Sequence, residues 1–550
     1  MNRTGGTGEA RQLAWWTLLV MVLVSAAFAM IAYSAGQDAN WDFYNYHYYN
    51  AYAFLNDRFW FDIVPAQRQT FFSPFLDVPF YWLTQVFDIV TASLGYAVFQ
   101  AWQAPAVFIV AYLILGGFTL SRAATVTLSL ALAVLSVFAP LNLQLAGTTP
   151  GDNTTAVFVL WGIACFMIAN SEHSPVRKQR WKTTLSALAA LLTGLAVGLK
   201  LTNGPFALAL LAWALLLGDT WPSRLRLFTL MALSSLAGFL LTYGYWGWFL
   251  YDQFQNPLFP LFNHVFQSEY MKPVQLNDET FKATSIAGTV FYPFLYNAYA
   301  GAIKYQQFLD LRIPVLYIST VLAGVSLLFS RSARQRVVEK PLPAGLLLFV
   351  FVSYLAWLLL FSITRYLVVL EVLTPVAVVV AASIVFRHRW TIIAAISICL
   401  LTVALSSWQA AQRGHAFGHR TPWAETVFEI NFPGLDIDGS MVLITGGQAM
   451  AFLIPEAPED TRFVRIDSNL NYVGYTSVEE RYQNRMGERL RAEVGAHSGG
   501  FFIIYADGEE QYVGPDLAYF GIERRAESCS TISSKGPKLN ICRAVRFGKP

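Results

Sequence analysis

The sequence predicts a polytopic α-helical membrane protein with about eleven transmembrane helices, followed by a small α/β domain. Three observations support this fold class. The chain of 550 residues is 55% hydrophobic and only 13% charged, whereas soluble domains carry about 25% charged residues. Apolar segments recur through residues 1–408, and most are close to the roughly 20 residues that a spanning helix needs. Residues 409–550 instead alternate short apolar runs with polar stretches.

The predicted spans are separated by polar loops and cover residues 13–34, 94–120, 124–140, 154–170, 184–200, 205–218, 227–250, 311–330, 343–362, 366–386 and 391–408. Segment 205–218 is the shortest of them. The first segment has the length of a signal peptide, but it lacks a convincing small-residue cleavage site before Gly36, and Arg3 and Arg11 precede it. We therefore interpret it as a retained first span.

The basic residues predict the orientation of these spans. They cluster in alternate loops, at Arg3 and Arg11, Arg122, Arg177 to Lys182, Arg224 and Arg226, Arg331 to Lys340, and Arg387 and Arg389. The positive-inside rule then puts the N-terminus in the cytoplasm and the C-terminal domain outside. The net charge of +3 does not indicate a nucleic-acid partner, because the basic residues lie in short clusters between spans.

We divide the chain into a transmembrane domain, residues 1–408, and an extracytoplasmic α/β domain, residues 409–550. The tail contains apolar runs typical of buried strands at 441–446, 462–466 and 500–505, and a hairpin pattern at 526–532 and 539–545. Cys529 and Cys542 could form a disulfide across that hairpin, because the predicted compartment is oxidising. Two free thiols are the alternative.

The first outer loop, residues 35–93, is rich in acids and aromatic residues. It carries Asp38, Asp42, Asp57, Asp62 and Asp77, together with Arg58, Arg68 and His47. Aromatic side chains with a polar tip favour the membrane–water boundary. We therefore expect the tyrosines of 44–52 to form a helix along that boundary, which would hold carboxylates at the depth of a lipid headgroup.

Four ionisable residues from distant segments fall on the predicted outer face, namely Asp42, Asp152, Lys200 and Arg365. Ionisable residues at membrane depth are costly and usually face a cavity. Transfer of a sugar from a lipid carrier needs a carboxylate that takes a proton from the acceptor and cations that bind the leaving phosphate. Asp42 is the candidate base, and Lys200 and Arg365 are the candidate phosphate ligands.

Asp152 has three candidate roles: it positions the base, binds the acceptor, or helps to hold a divalent cation such as Mg²⁺ or Mn²⁺. No cofactor is required by the pattern itself. Further candidate substrate-binding residues lie next to these positions in the chain, and they are Tyr46, His47, Arg68, Asn203 and Tyr366.

Three short motifs carry a family resemblance. The segment WDFYNYHYYN (41–50) is similar to the first-loop acid motif of the GT-C superfamily, PGDN (150–153) is similar to its second-loop acid, and NPLFPLFN (256–263) resembles a segment of uncharacterised bacterial members. These integral-membrane glycosyltransferases use polyprenyl-phosphate sugars, as protein O-mannosyltransferases and lipid A aminoarabinose transferases do. Phe43 follows Asp42 where well-studied members have a second acid, so the exact base and any metal stay open.

The resemblance covers roughly residues 10–410. It implies a first group of about seven helices shared with the superfamily and a variable second half, in a multi-pass protein of the bacterial inner membrane. The implied partners are a polyprenyl-phosphate sugar donor, the lipid bilayer, and a glycan, lipid or protein acceptor.

Simpler structural roles compete with several of these assignments. Asp152 is also a good helix N-cap, Asp38 could cap an interfacial helix, and Asp57 and Asp62 could be solvated or pair with Arg58. His47 could be an interfacial hydrogen-bonding residue, Lys200 could extend to the headgroups, and Arg365 could pair with Glu371. A transporter or lipid-linked glycan flippase is one alternative function, although the span pattern contains no convincing internal repeat. A ligase that uses a lipid diphosphate donor is another, although such a protein should have a large late outer loop rich in Arg and His, whereas the most charged long outer loop here comes first.

Overall fold

The computed structural model describes residues 5–276, 281–295, 311–386, 390–412, 419–472 and 474–547. The chain forms two compact units. The first consists of Met1–Ala35, Leu94–Thr242 and Asp278–Gly418, and the second consists of Gly36–Ser93, Tyr243–Asn277 and His419–Pro550. Residues 36–93, hereafter the first loop, therefore group with the C-terminal residues.

The first unit is entirely helical in the residues described. Its helices, including two that continue into the second unit, are Gly5–Ala35, Ile89–Gln100, Gln103–Leu115, Arg122–Val137, Pro140–Gln144, Asp152–Asn170, Gln179–Leu199, Gly204–Ala214, Trp221–Phe254, Ile286–Val290, Arg312–Phe329, Arg331–Glu339, Pro341–Leu360, Val368–Val385 and Trp390–Gln412.

A helix occupies each of the eleven predicted span positions. Within the described residues, eight helical segments are long and apolar enough to cross a membrane, and three shorter apolar ones are Arg122–Val137, Leu201–Ala214 and Ile393–Ser406. The polytopic helical fold is therefore confirmed, while the count of eleven and the orientation stay predictions. Arg3, Arg387 and Arg389, on which part of the orientation depends, lie outside the described residues.

Small residues and one central helix hold the first unit together. Helix Val368–Val385 is buried along almost its whole length, as its nearly continuous apolar sequence predicts. Gly194 allows helix Gln179–Leu199 to approach helix Trp221–Phe254, because a Cβ atom there would lie 2.0 Å from the carbonyl oxygen of Ser235. Such close packing of small residues is typical of helices in membranes.

The second unit contains every strand found in the described residues, and these are β1 Gln37–Asp38, β2 Arg420–Thr421, β3 Met441–Ile444, β4 Arg462–Arg465, β5 Phe501–Ala506, β6 Ile522–Arg524, β7 Ser530–Ile532 and β8 Leu539–Arg546. β1 and β2 form a separate antiparallel pair. The main sheet has the order β4-β3-β5-β8-β6, and β7 also pairs with β8. β3 runs parallel to β4 and β5, and β8 runs antiparallel to its three neighbours.

The strands and the hairpin predicted in the tail are present, and β2 and β6 are additions. The Sγ atoms of Cys529 and Cys542 form a disulfide at the β7–β8 hairpin. The helices of this unit are short, at Tyr48–Leu55, Val78–Val86, Asn263–Phe266, Asn469–Tyr472, Val478–Arg481, Arg485–Ala496 and Gly514–Tyr519.

An ion pair attaches the first loop to the main sheet within the second unit. Arg58 donates two hydrogen bonds to Asp62, of 2.8 and 3.0 Å, and further ones to the carbonyl oxygens of Glu459 and Thr461. Asp62 also accepts from the N–H of Phe463 in β4. Burial raises the pKa of Asp62, and its hydrogen bond with Arg58 opposes that rise. The sequence left open whether Asp62 is solvated or pairs with Arg58, and the structure shows that it pairs with Arg58.

Four of the five tyrosines of residues 44–52 are buried inside the unit, and Tyr52 is half-buried. Tyr44 is 3% exposed, and its ring packs 5.4 Å from Phe428 and 4.9 Å from Phe452 between centroids. The ring of Tyr48 also packs on Phe428, at 5.0 Å, and burial among other aromatic rings removes apolar area from water. The position of this segment along a membrane boundary stays a prediction. The predicted helix is present, as a π-helical turn Phe43–His47 followed by helix Tyr48–Leu55.

Candidate functional site

Asp152 opens helix Asp152–Asn170 in the first unit. The preceding loop turns at Gly147 and Gly151, whose φ angles of 72° and 82° favour glycine. Gly151 is the N-cap residue, and no side chain caps this helix. Asp152 lies in its first turn, where the helix dipole favours a negative charge. The alternative that Asp152 serves as the N-cap is therefore wrong.

Two cations from other segments converge on this carboxylate. Nζ of Lys200 lies 2.5 Å from Oδ1 of Asp152, and Nε of Arg365 lies 3.8 Å from Oδ2. The exposed fractions of the three side chains are 13% for Lys200, 24% for Arg365 and 4% for Asp152. The Asp152 side chain is therefore buried, whereas the two cationic side chains retain access to solvent.

The surrounding residues fix the two cations in place. Lys200 follows the end of helix Gln179–Leu199 and also donates to the carbonyl oxygen of Pro150, at 2.7 Å. The ring of Tyr366 lies 5.0 Å from Nζ of Lys200 and 5.6 Å from Cζ of Arg365, which permits cation–π attraction. Nδ2 of Asn203 donates to the carbonyl oxygens of Ala196 and Lys200. Asn203 thus holds the turn that carries Lys200, and its contact with substrate stays a prediction.

A buried amide network orders the loop in front of Asp152. Gln100 accepts from the N–H of Gly147 at 2.7 Å and donates to the carbonyl oxygen of Thr148 at 3.1 Å. Nδ2 of Asn153 donates to the carbonyl oxygen of Asn142 at 2.7 Å. These buried hydrogen bonds restrain the loop that leads to Asp152.

Glu371 does not pair with Arg365, which corrects one of the alternatives. Its carboxylate forms a fully buried ion pair with Arg312. The same carboxylate accepts hydrogen bonds from the N–H groups of Leu141 and Asn142, at 3.0 and 3.1 Å, and so caps the short helix Pro140–Gln144. Arg365 lies six residues earlier in the chain, where its side chain faces Asp152 instead.

Asp42 lies in the second unit, directly before the π-helical turn Phe43–His47. Its N–H donates to Oδ1 of Asn40, whose own N–H donates to Oδ1 of Asp38, both at 3.0 Å. Asp42 is 8% exposed. Single π-helical turns are rare and occur frequently at functional sites. Whether Asp42 and Lys200 share one cleft stays a prediction.

His47 and Asp77 form a buried pair in the same unit. Nδ1 of His47 lies 2.7 Å from Oδ1 of Asp77, and the exposed fractions of the two side chains are 4% and 6%. The ring of Tyr46 lies against His47, at 4.1 Å between centroids. The hydrogen-bonding role suggested for His47 is present, and its partner is a protein carboxylate.

Arg68 belongs to a 3₁₀ turn, Gln67–Phe71, whose backbone meets the C-terminal residues. Its N–H donates to Oδ1 of Asn469 at 3.0 Å. Binding of substrate by Arg68, Tyr46 and His47 stays a prediction.

The described residues do not offer an obvious set of metal ligands. Within those ranges, no group of three or more His, Cys, Asp and Glu side chains is placed to hold an ion. Oδ1 of Asp152 is occupied by Lys200. A divalent cation held by Asp152 stays a prediction.

Sequence reasoning missed Arg312 and gave Asp77 no role. Arg312 begins an apolar segment of eighteen residues, Arg312–Phe329. An ionisable residue at the end of such a segment is a signal that could have been used. Asp77 carries no comparable signal, because its pairing with His47 depends on a fold that brings positions 30 residues apart together.

No family model and no curated protein matches this sequence. Among solved structures, the chain is similar to ArnT from Cupriavidus metallidurans in the apo state, with a TM-score of 0.52 and 13% identity over 95% of this chain and 97% of that chain. It is also similar to the oligosaccharyltransferase of Archaeoglobus fulgidus in the apo form, with a TM-score of 0.47 and 12% identity over 90% of this chain and 70% of that chain. ArnT from Cupriavidus metallidurans bound to undecaprenyl phosphate gives a TM-score of 0.44 and 12% identity, over 96% and 97% of the two chains.

The likeness to apo ArnT covers nearly the whole of both chains, so it includes the helical unit and the C-terminal sheet. At this level of identity the likeness concerns the fold. The predicted architecture, a polytopic helical protein with a C-terminal sheet domain, is confirmed, and the chain shares the fold of apo ArnT.

Proposed function

We propose that this protein is a membrane glycosyltransferase that moves a sugar from a polyprenyl-phosphate donor to an acceptor outside the cytoplasm. The observation that carries the proposal is the convergence of Lys200 and Arg365 on Asp152 in a chain that shares the fold of apo ArnT. The acceptor class, whether glycan, lipid or protein, stays open.

The cation cluster suits a phosphate monoanion or dianion. Lys200 and Arg365 bring two positive charges close together, which suits the binding of an anion. A guanidinium and an ammonium together offer several N–H donors to phosphate oxygens. Asp152 contacts both cations, and the ring of Tyr366 lies 5.0 Å from Nζ of Lys200, which supports a shared role for the two cations in binding phosphate. As the sugar departs, the same cations stabilise the charge that develops on the phosphate.

Asp42 is the proposed general base. The acceptor hydroxyl oxygen attacks the anomeric carbon, and its proton passes to the carboxylate of Asp42. The bond between the anomeric carbon and the phosphate oxygen breaks, and its electron pair leaves with the polyprenyl phosphate. Support for this role comes from the buried position of Asp42 before a π-helical turn and from its place in the first-loop motif.

Donor binding tests the cation cluster directly. Undecaprenyl phosphate serves as the probe, with full-length protein in lipid nanodiscs. We expect Lys200→Ala and Arg365→Ala each to weaken its binding about tenfold or more, since each removes a charge-assisted hydrogen bond. Lys178→Ala and Arg331→Ala remove exposed cations elsewhere in the same unit and serve as matched controls. Unchanged affinity in both test variants would refute the phosphate site.

A transport assay distinguishes a glycosyltransferase from the alternative, a transporter or flippase. A flippase would move a lipid-linked sugar across proteoliposomes without forming a new glycosidic bond, whereas a transferase would form a product and release undecaprenyl phosphate. In cells, a deletion strain should accumulate a glycan or lipid-linked intermediate that lacks one sugar. Full-length glycans in that strain would contradict the proposal.

A further inference from the structure

A cavity of about 220 Å³ lies within the second unit, between the first loop and the C-terminal turns of helix Trp221–Phe254. Seven of its eleven lining residues are aromatic, and its polar lining residues are Asn50, Asp57 and Thr70. Drug-sized ligands occupy pockets of about 300 to 1,000 Å³. This cavity therefore has room for one ring-sized group.

Three of the aromatic lining residues present ring surfaces to the cavity, because their polar atoms are bonded elsewhere. Nε1 of Trp246 donates to the carbonyl oxygen of Phe71 at 2.9 Å, and Nε1 of Trp60 donates to Oε1 of Gln253 at 3.0 Å. The hydroxyl group of Tyr49 donates to Asp62. What these residues offer to a ligand is the electron-rich face or the edge of a ring.

Asn50 contributes a buried acceptor with no partner. Its Nδ2 donates to the carbonyl oxygens of Gln69 and Phe72, at 2.9 and 3.3 Å, which fixes the orientation of the amide. Asn50 is 5% exposed, and its Oδ1 has no hydrogen-bond partner among the described residues. A buried acceptor left unbonded is costly, so an occupant with a hydrogen-bond donor is favoured at this position.

Asp57 adds a second acceptor. Its side chain is exposed, and among the described residues its carboxylate makes no hydrogen bond or ion pair. Its φ angle of 53° places it in the left-handed region, where Asp and Asn are the commonest residues after glycine. Tyr245 lines the cavity from helix Trp221–Phe254, and it is 56% exposed.

These features select one class of ligand. A phosphate or carboxylate group would meet two acceptors and a negative charge, so anions are disfavoured. An isoprenoid or acyl chain would fit the rings but would leave Oδ1 of Asn50 unbonded. A neutral sugar ring satisfies both requirements, because its hydroxyl groups donate to the acceptors and its C–H face packs on aromatic rings.

We infer that this cavity binds one neutral sugar ring of a glycan or of a lipid-linked sugar. The inference rests on the proposed function, since a glycosyltransferase must hold a sugar. It assigns that sugar to Asn50, Asp57 and Tyr245, which are separate in the chain from the cation cluster of Asp152, Lys200 and Arg365.

Binding of free glycosides tests the inference without any donor. Saturation-transfer NMR of full-length protein in nanodiscs would use the methyl glycosides of glucose, galactose, mannose and N-acetylglucosamine as probes. Tyr245→Ala removes one ring, and Asp57→Asn keeps the backbone preference but removes the charge. We expect Tyr245→Ala to weaken binding of the best probe about five- to tenfold, and Asp57→Asn about threefold or more.

The control is Tyr251→Ala, which removes an aromatic ring that is 52% exposed on the same helix and outside the cavity. Affinity in this control should stay within about twofold of that of the unchanged protein. Unaltered unfolding temperatures in all three variants would show that the fold is intact. No binding of any glycoside, or equal affinity in every variant, would overturn the inference.

Two competition arms identify the source of the ligand. Displacement of the glycoside by undecaprenyl-phosphate glucose, but not by undecaprenyl phosphate, would assign the cavity to the sugar of the donor. Absence of displacement by either would assign it to an acceptor glycan. Displacement by undecaprenyl phosphate alone would show that a lipid chain occupies the cavity and would overturn the inference. Lys200→Ala should leave glycoside binding intact, so failure of the phosphate site and failure of this site are distinguishable.

Discussion

Arg312 and Glu371 form an ion pair in which neither side chain is exposed to solvent. The pair joins the start of helix Arg312–Phe329 to helix Val368–Val385, and Glu371 also caps helix Pro140–Gln144. That short helix leads into the loop that ends at Asp152. We therefore expect the pair to contribute both to stability and to the placement of Asp152.

We expect Glu371→Gln to destabilise the protein, because it leaves the Arg312 cation buried without its counter-charge. Breaking one side of a buried pair typically costs about 3 to 5 kcal/mol. Thermal unfolding in detergent measures this loss. The control is Lys538→Ala, which breaks an exposed pair with Asp507 and should cost about 1 kcal/mol or less. Equal effects in the two variants would contradict the assignment.

The double variant Glu371→Leu with Arg312→Leu separates the two roles. Replacing a buried ion pair by apolar residues is often neutral for stability, so the unfolding temperature should largely recover. The cap on helix Pro140–Gln144 is still absent, so affinity for undecaprenyl phosphate should stay reduced about tenfold. Recovery of both quantities would show that Glu371 has no part in placing Asp152.

Asp42→Asn should abolish sugar transfer while leaving expression and unfolding temperature unchanged. Loss of a general base typically lowers the rate by about 10² to 10⁴. The matched control is Asp88→Asn, an exposed position in the same loop where Asn retains the cap on helix Ile89–Gln100. Asp38→Asn tests whether Asp38, a neighbouring acid of the first loop, acts as the base instead. Full activity of Asp42→Asn would refute the base assignment.

Asp62→Asn should loosen the first loop from the main sheet, because Arg58 would lose its buried partner and Phe463 its charged acceptor. We expect a loss of about 3 kcal/mol in the protection of these backbone amides. Hydrogen exchange across residues 56–66 and β4 measures it. Asp460→Asn alters an exposed neighbouring acid and should have no such effect. Unchanged exchange in Asp62→Asn would show that the pair does not attach the loop.

Removal of the disulfide should destabilise the C-terminal hairpin. Cys529 and Cys542 are 13 residues apart, and closing a loop of about that size restricts the unfolded chain by about 3 kcal/mol. The double variant Cys529→Ser with Cys542→Ser should therefore be cut faster by protease in residues 526–547. Maleimide labelling before and after reduction in intact cells measures the bond directly. Labelling of both thiols without reduction would contradict it.

How much of the site the sequence could predict depends on how far apart in the chain the interacting residues lie. Asp152, Lys200 and Arg365 were identifiable singly, because a charge beside an apolar span is costly and therefore informative. Their pairing was only partly predictable: Arg365 has Glu371 six residues away in the chain, yet it faces Asp152. Glu371 forms its ion pair with Arg312 instead. That pairing depends on how three helices pack, which a local sequence pattern does not predict.

By itself, the sequence determined the membrane-protein class, the positions of eleven helices, and the strands and hairpin of the tail. These follow from apolar length and periodicity, which act between near neighbours in the chain. Only the tertiary structure decided that the first loop docks on the C-terminal sheet, that most of its tyrosines are buried, and that Asn50 faces an aromatic cavity. Those features arise from contacts between residues hundreds of positions apart, whose energies depend on packing and burial rather than on local composition.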